Sequence, residues 1–266
     1  MGVCPYLRPA FASYFIGIFR DNPYIEPMNA ANNLDRDAIE PGSTQMRGSS
    51  HPPSEPAASA RNPLMVPIRS LGANHRQRIA AHLLSLDPHD RYLRFGYAAS
   101  DEQVQRYVTG LDFARDEIFG IYNRKLQLIA MAHLAYPAKQ LHDSCAEFGV
   151  SVLKSARGRG FGARLFDRAA MHARNDGITQ MFVHALSENT AMLKIARNAG
   201  ATVQRDGSEA EAYLRLPAAT LDSRMTEIVQ ERLAQADYRM KEQAQQFWSI
   251  LRTLQATRCA NRPPQQ

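Results

Sequence analysis

The stretch that most constrains this chain is "AEFGVSVLKSARGRGFGARLFDRAAMHARN", residues 146–175. An apolar run with strand character leads into a loop holding Gly158, Gly160 and Gly162, and an amphipathic helical pattern follows at once. Glycines at this density cost backbone entropy that packing alone rarely repays. The loop must therefore turn through left-handed conformations or let a ligand approach its backbone. Both needs are met where a strand feeds a helix N-terminus, whose unpaired amides and dipole attract anions. Arg157, Arg159 and Arg164 lie among the glycines, and the whole chain carries a formal net charge of +6, which suits an anionic ligand. The stretch predicts a strand–loop–helix unit that wraps a phosphate-bearing group.

The rest of the chain supplies the sheet for that unit. Residues 1–63 hold nine of the fifteen prolines and cannot bury enough apolar area to offset ordering, so this segment is expected to be disordered. From Met65 the texture changes. "LMVPIRSL" reads as a strand, and "NHRQRIAAHLLSL" as a helix with Asn74 as its N-cap. "DPHDRYLRFGY" follows, and then "SDEQVQRYVTGL", a helix capped by Ser100 or Asp101. "EIFGIYN" and "LQLIAMAHLAY" read as a hairpin turned at "NRK". Beyond the glycine loop come a helix ending near Gly177, the strand "TQMFVHAL", the helix "NTAMLKIARNAG", and a hairpin about Gly207.

A single helix is predicted over 218–258, with Leu221, Met225, Ile228, Met240, Ala244, Phe247, Leu251 and Leu254 on one stripe, and 259–266 as a disordered tail. The stripe suits packing on the helix's own domain or on a second copy of the chain. Cys4, Cys145 and Cys259 show no metal-ligand or disulfide spacing, so no metal site and a reducing cytoplasm are expected. The run "FASYFIGIF" is too short to span a bilayer. No basic stripe interleaved with aromatics points to nucleic acid.

Three readings compete for the glycines. A Walker loop needs a Lys-Ser/Thr pair that does not follow here. A dinucleotide fingerprint, GxGxx[GA], is satisfied by Gly158, Gly160 and Ala163, with Glu188 closing the next strand; no repeated βαβ series follows it. The third reading matches more positions. Arg157 to Gly162 fit [QR]xxGx[GA], and "VSVLKSARGRGFGARLFDRAAMHARNDGITQMFVHALSENTAMLKIARNAGA" resembles, in register, the fourth strand to fourth helix of the GNAT superfamily of N-acetyltransferases.

The resemblance implies a mixed α/β (α+β) fold over 64–217, a central, mostly antiparallel twisted sheet flanked by helices. It implies acetyl-CoA as cosubstrate and direct attack of a primary amine, on a protein lysine or a small molecule, upon the thioester. It assigns the pantetheine arm to the main chain of Val150, Ser151 and Val152, where strands splay apart. The pyrophosphate falls to Arg157, Gly158, Arg159, Gly160, Phe161, Gly162 and Ala163. Asn189 is assigned a hydrogen bond to the cofactor as well as helix capping, and Phe161 is also expected to pack between helix and sheet. Glu147 is the expected general base, with Glu188, His184 and His133 as lesser candidates.

One departure stands out: Ala196 occupies the place where many relatives carry a Tyr that protonates the leaving thiolate. Ser187, Tyr136 or water are the substitute donors. "RYLRF" at 91–95 is similar to the acetyltransferase domains of bacterial protein-lysine acetyltransferases. The alternatives are an acyl-CoA-binding sensor without catalysis and an NAD(P)-binding oxidoreductase.

Overall fold

A seven-stranded sheet runs in the order β1-β2-β3-β4-β5-β7-β6 through a computed structural model that describes residues 66–137 and 145–260. The proline-rich segment expected at 1–63 and the last residues, 261–266, lie outside the described residues. The strands are β1 (Arg69–Ser70), β2 (Glu117–Tyr122), β3 (Leu128–Ala135), β4 (Cys145–Val152), β5 (Gln180–Leu186), β6 (Thr202–Asp206) and β7 (Glu209–Arg215). The helices are α1 (Arg76–Leu84), α2 (Pro88–Phe95), α3 (Asp101–Thr109), α4 (Phe161–Asn175), α5 (Thr190–Asn198) and α6 (Leu221–Ala260).

Every strand pair is antiparallel except β4–β5. A doubly wound parallel sheet, which the dinucleotide reading needs, is therefore not present among the described residues. β3 is buried along its whole length because both faces of the sheet are covered, which explains its unbroken apolar run. On one face lies α4, whose Phe166 meets Phe148 of β4 edge-to-face at 5.0 Å. On the other lie α1 to α3, whose Ile79, Leu83, Val104 and Val108 are all buried.

Local chemistry sets the boundaries. Ser100 opens α3 with a capping box completed by Gln103, and Asn189 caps α5 by accepting from the Met192 amide at 3.2 Å. Asn74 does not cap α1; it sits in a 3-10 turn, Ala73–His75, that runs straight into the helix. The expected first strand shrinks to Arg69–Ser70. The segment 88–95, left unassigned between two expected helices, is α2: Asp87 accepts from the Asp90 amide, proline opens the first turn, and Gly96 closes it in the left-handed region.

The long helix starts at Leu221, three residues later than expected, and runs to Ala260. It is fastened to α4 by charge. His172 Nδ1 lies 2.6 Å from Glu227, Asn175 donates to Glu227 at 2.6 Å, and buried Arg168 lies 3.3 Å from Glu231. Among the described residues no helix is long and apolar enough to cross a membrane.

Candidate functional site

β4 and β5 pair only through Cys145–Gln180, Ala146–Met181 and Glu147–Phe182, and beyond Glu147 the two strands part. β4 stays paired with β3 throughout, with Leu153 donating to the Ile129 carbonyl at 2.9 Å. In an antiparallel ladder, successive residues alternate which way their amides point. Residues 147, 149, 151 and 153 thus turn their main-chain groups to β3, and Phe148, Val150 and Val152 turn theirs to the open edge. The Val152 carbonyl agrees, accepting from Arg157 Nε at 3.3 Å. Of the three strand residues assigned to a ligand's arm, Val150 turns its main chain to the open edge and Val152 its amide, the Val152 carbonyl being taken by Arg157. Ser151 turns neither group there; its hydroxyl is instead committed to His82 Nε2 at 2.8 Å.

The glycine loop follows that edge. Gly158 and Gly160 have φ of +77° and +74°, a region costly for residues with a Cβ, and no other atom lies within 4 Å of where a Cβ would stand. They form an open, cradle-like backbone. Gly160 is the N-cap of α4 and offers no side chain, so the amides of Phe161, Gly162 and Ala163 are left without a side-chain cap; the first intrahelical bond is Arg164 N–H to the Gly160 carbonyl at 3.1 Å. This is a phosphate-sized donor set.

Gly162 has a different job from its neighbours: a Cβ there would lie 3.0 Å from Ile195, so it lets α4 approach α5. Phe161 is half-buried on the first turn, not part of the core as expected. Arg159 is exposed, whereas Arg157 is pinned by an ion pair to the buried carboxylate of Asp90 on α2. Asn189 uses its side-chain oxygen to cap α5.

Glu147 stands at the last paired position before the strands part. Its side chain is half-buried, and Oε2 is buried with no hydrogen-bond partner. Burial pushes its pKa up to about 7, with Arg94 pulling the other way. A carboxyl titrating there can take a proton near neutral pH.

Around Glu147, on the same face of the sheet, lies a cluster that the sequence did not announce. Arg94 of α2 rests on Gly149 and donates to Tyr107 Oη at 3.0 Å; Tyr107 lies 2.7 Å from His133 Nδ1, and His133 Nε2 lies 3.2 Å from Asp116. His82 is also buried there, its pKa pushed down to about 4 by burial. Its Nδ1–H donates to the Leu128 carbonyl at 2.9 Å, so Nε2 accepts from Ser151.

The lesser candidates lie elsewhere or are engaged. His133 is locked between Tyr107 and Asp116. His184 is 36% exposed and faces Glu209 and Glu211 at 3.8 Å, and Glu188 is exposed.

A strand pair that parts beside a glycine-capped, uncapped-amide helix is the arrangement that the loop motif anticipated, and the sequence of the same region decides the family. Residues 80–201 match the Acetyltransferase (GNAT) family. This segment is a GNAT acetyltransferase domain. It contains α2 to α5, β2 to β5 and the loop.

Among solved structures, the GNAT domain of S. lividans PAT is similar at 24% identity over 56% of this chain and 89% of that one, with a TM-score of 0.49. A spermidine N-acetyltransferase from Vibrio cholerae, solved with CoA and spermine, is 15% identical over 56% of this chain and 94% of its own, with a TM-score of 0.45. An acetyltransferase from Salmonella typhimurium, solved with acetyl-CoA, is 15% identical over 57% and 95%, with a TM-score of 0.45. No curated protein matches the chain.

Proposed function

We propose that this GNAT domain transfers an acetyl group from acetyl-CoA to a primary amine. The observation that carries the reading is the pairing of an anion-sized cradle, the Gly158–Gly160 backbone with the free amides of α4, with a carboxyl poised near neutrality at the point where β4 and β5 part. Acetyl-CoA supplies an activated thioester and a pyrophosphate. The amides of Phe161, Gly162 and Ala163 hold the pyrophosphate, assisted by the dipole of α4, while Arg159 and Arg164 neutralise its charge. The open edge of β4 at Val150 and Val152 pairs with the amide groups of the pantetheine arm, and one of its N–H groups stabilises the oxyanion that forms on the thioester carbonyl. The side-chain amide of Asn189, whose oxygen caps α5, has its N–H group left to donate to the cofactor. Glu147 accepts the proton of the attacking amine as the C–N bond forms and the C–S bond breaks.

Calorimetric titration with acetyl-CoA tests the binding half of this reading; no heat at millimolar ligand sinks it. Release of free thiol from acetyl-CoA with a panel of primary amines tests the transfer half. Ala196, fully buried at the usual Tyr position, favours the second reading, an acyl-CoA sensor that binds without transfer. Binding with no thiol release from any amine would decide for it.

A second copy of the chain is the structural partner proposed for α6. Its exposed stripe is spaced symmetrically about Ala236: Met225 and Phe247 stand eleven residues to either side, Ile228 and Ala244 eight, Leu221 and Leu251 fifteen. Two helices packed antiparallel about a two-fold axis at Ala236 oppose Met225 to Phe247, Ile228 to Ala244 and Leu221 to Leu251 along the seam. Leu221 is 84% exposed, Phe247 57% and Trp248 59%, which leaves this stripe for a partner. Light scattering should give twice the chain mass for the wild type and the single mass for Met225→Asp/Phe247→Asp; a monomeric wild type at tens of micromolar refutes the dimer.

A further inference from the structure

The cluster beside Glu147 is a polar chain whose direction is fixed. Asp116 can only accept, so His133 Nε2–H donates to it. Burial, working against the opposing pull of Asp116, holds His133 below its ordinary pKa and therefore neutral, so its Nδ1 accepts from the Tyr107 hydroxyl. Tyr107 Oη in turn accepts from Arg94 Nη2–H. Arg94, Tyr107, His133 and Asp116 thus donate in sequence, each bond polarising the next. The far end is anchored: Asp116 also accepts from Arg115 Nε at 2.9 Å and from the Tyr136 amide at 3.2 Å. These residues come from α2, α3, β3 and the segment before β2, so the chain ties four parts of the fold to one guanidinium.

That guanidinium has a defined seat. Gly149 faces it without a side chain, and a Cβ there would stand 2.9 Å from Arg94 Cζ and 3.0 Å from both terminal nitrogens. Gly149 is two residues beyond Glu147 on β4, so the two share one face of the sheet. Among the described residues, the charged and titratable groups about this recess are Arg94 from α2, Tyr97 from the segment after it, Tyr107 from α3, His133 from β3, His82 from α1, and Arg115 and Asp116 from the segment before β2. His82 and His133 are neutral, and the Asp116 charge is taken up by His133 and Arg115. Among the described residues, Arg94 is the charge that pulls on the Glu147 carboxyl.

We propose that Arg94 is a positioning residue for acetyl transfer: the Asp116–His133–Tyr107 chain clamps its guanidinium against Gly149, where its charge opposes the effect of burial and favours the carboxylate form of Glu147 that takes the acceptor's proton. The proposal rests on Glu147 as base. The same fixed charge disfavours an ammonium in the recess and so favours the neutral, nucleophilic form of the incoming amine. No bond to Arg94 forms or breaks; it acts through Glu147.

The test is a carbon-13 NMR titration of the Glu147 carboxyl in the whole protein, assigned by its loss in Glu147→Gln, together with the pH profile of thiol release from acetyl-CoA with a primary amine. Arg94→Gln should make Glu147 about ten-fold weaker as an acid, roughly one pH unit, and move the acidic limb of the rate profile upward by the same amount. Arg94→Lys should restore most of both. Gly149→Ala, which leaves the guanidinium intact but displaces it from its seat, should move both as Arg94→Gln does; Tyr107→Phe, which cuts the clamp, should move them in the same direction by less.

A Glu147 titration unchanged in Arg94→Gln and Gly149→Ala overturns the proposal, as does an equal shift in Arg94→Lys. If the titration follows Arg94 while Glu147→Gln turns over normally, the base assignment fails and the electrostatic coupling stands. If Glu147→Gln is inactive while no variant moves the titration, the base assignment stands and the role of Arg94 fails.

Discussion

Replacing Glu147 by Gln should slow the protein and stabilise it, with a pH signature that only a buried base produces. In the fold this carboxyl stays protonated up to about pH 7, whereas in the unfolded chain it ionises from about 4.5. A group whose folded pKa is raised contributes its full stability below the unfolded value and loses it as pH climbs through the folded value. The loss therefore runs across the window from about 4.5 to about 7 and then levels off. At about 1.4 kcal/mol per pH unit, ionising buried Glu147 costs the fold about 3 kcal/mol. Gln has the same shape and no charge, so it escapes that cost.

Urea unfolding of both proteins at a series of pH values isolates the effect, because every other titrating group is shared and cancels in the difference. Glu147→Gln should gain about 2–3 kcal/mol on wild type as pH rises from about 4.5 to about 7, and should hold that gain above it. Its turnover should fall by about two orders of magnitude or more, with acetyl-CoA affinity nearly intact. A stability difference that does not change with pH refutes the burial argument. Unchanged turnover refutes the catalytic one.

Gly160→Asp should abolish acetyl-CoA binding in calorimetry, because φ of +74° strains any side chain and the new carboxylate would stand at the mouth of the anion cradle; unchanged affinity would refute the loop assignment. His172→Gln should remove a pH dependence from the α4–α6 contact. Burial opposes protonation of His172, but Glu227 and Asp176 outweigh it and raise its pKa, so the stability it lends is present below about pH 6.5 and fades as pH rises through the raised value. Hydrogen exchange of the α6 amides should quicken over that rise in wild type and stay level in the variant, after correction for intrinsic rates.

What was legible in the sequence was whatever is written locally. The cap at Ser100 (offered with Asp101), the turn at NRK, Asn189 and the strand "TQMFVHAL" are each encoded in adjacent residues, and each formed where expected. The glycine loop was legible for the same reason, since strand, glycines and helix are contiguous. α2 carried a clear local signal, Asp-Pro at its start and Gly at its end, but only one turn of apolar pattern, and its charged residues masked the periodicity. Gly162 shows the limit within the motif: spacing grouped it with Gly158 and Gly160, yet its neighbour is Ile195, thirty-three residues away, which no local pattern reveals. The Arg94 cluster was out of reach for the same physical reason. Its members lie in four elements, and only the β3–β4 register, which sets His133 opposite Gly149, brings them to Glu147.

The leaving group is the step where geometry narrows the sequence reading most. Two side chains were candidates to protonate the thiolate in place of the missing Tyr. The Ser187 hydroxyl lies 2.8 Å from the Glu209 carbonyl and 3.1 Å from that of Gly207, so its single proton is spent on the β6–β7 hairpin. Tyr136 bonds Asp176 at the C-terminal end of α4, the end opposite the loop, and burial raises its pKa further, with Asp176 adding to the effect. Both hydroxyl protons are therefore already committed within the fold. Ala196 is fully buried and supplies no donor. We infer that the sulfur leaves as the thiolate, which its pKa of about 8.5 allows near neutrality. Tyr136→Phe and Ser187→Ala should each keep turnover within about three-fold of wild type and leave the basic limb of the pH profile in place. A fall of a hundred-fold in either, with folding intact by circular dichroism, would identify that residue as the acid and overturn the inference.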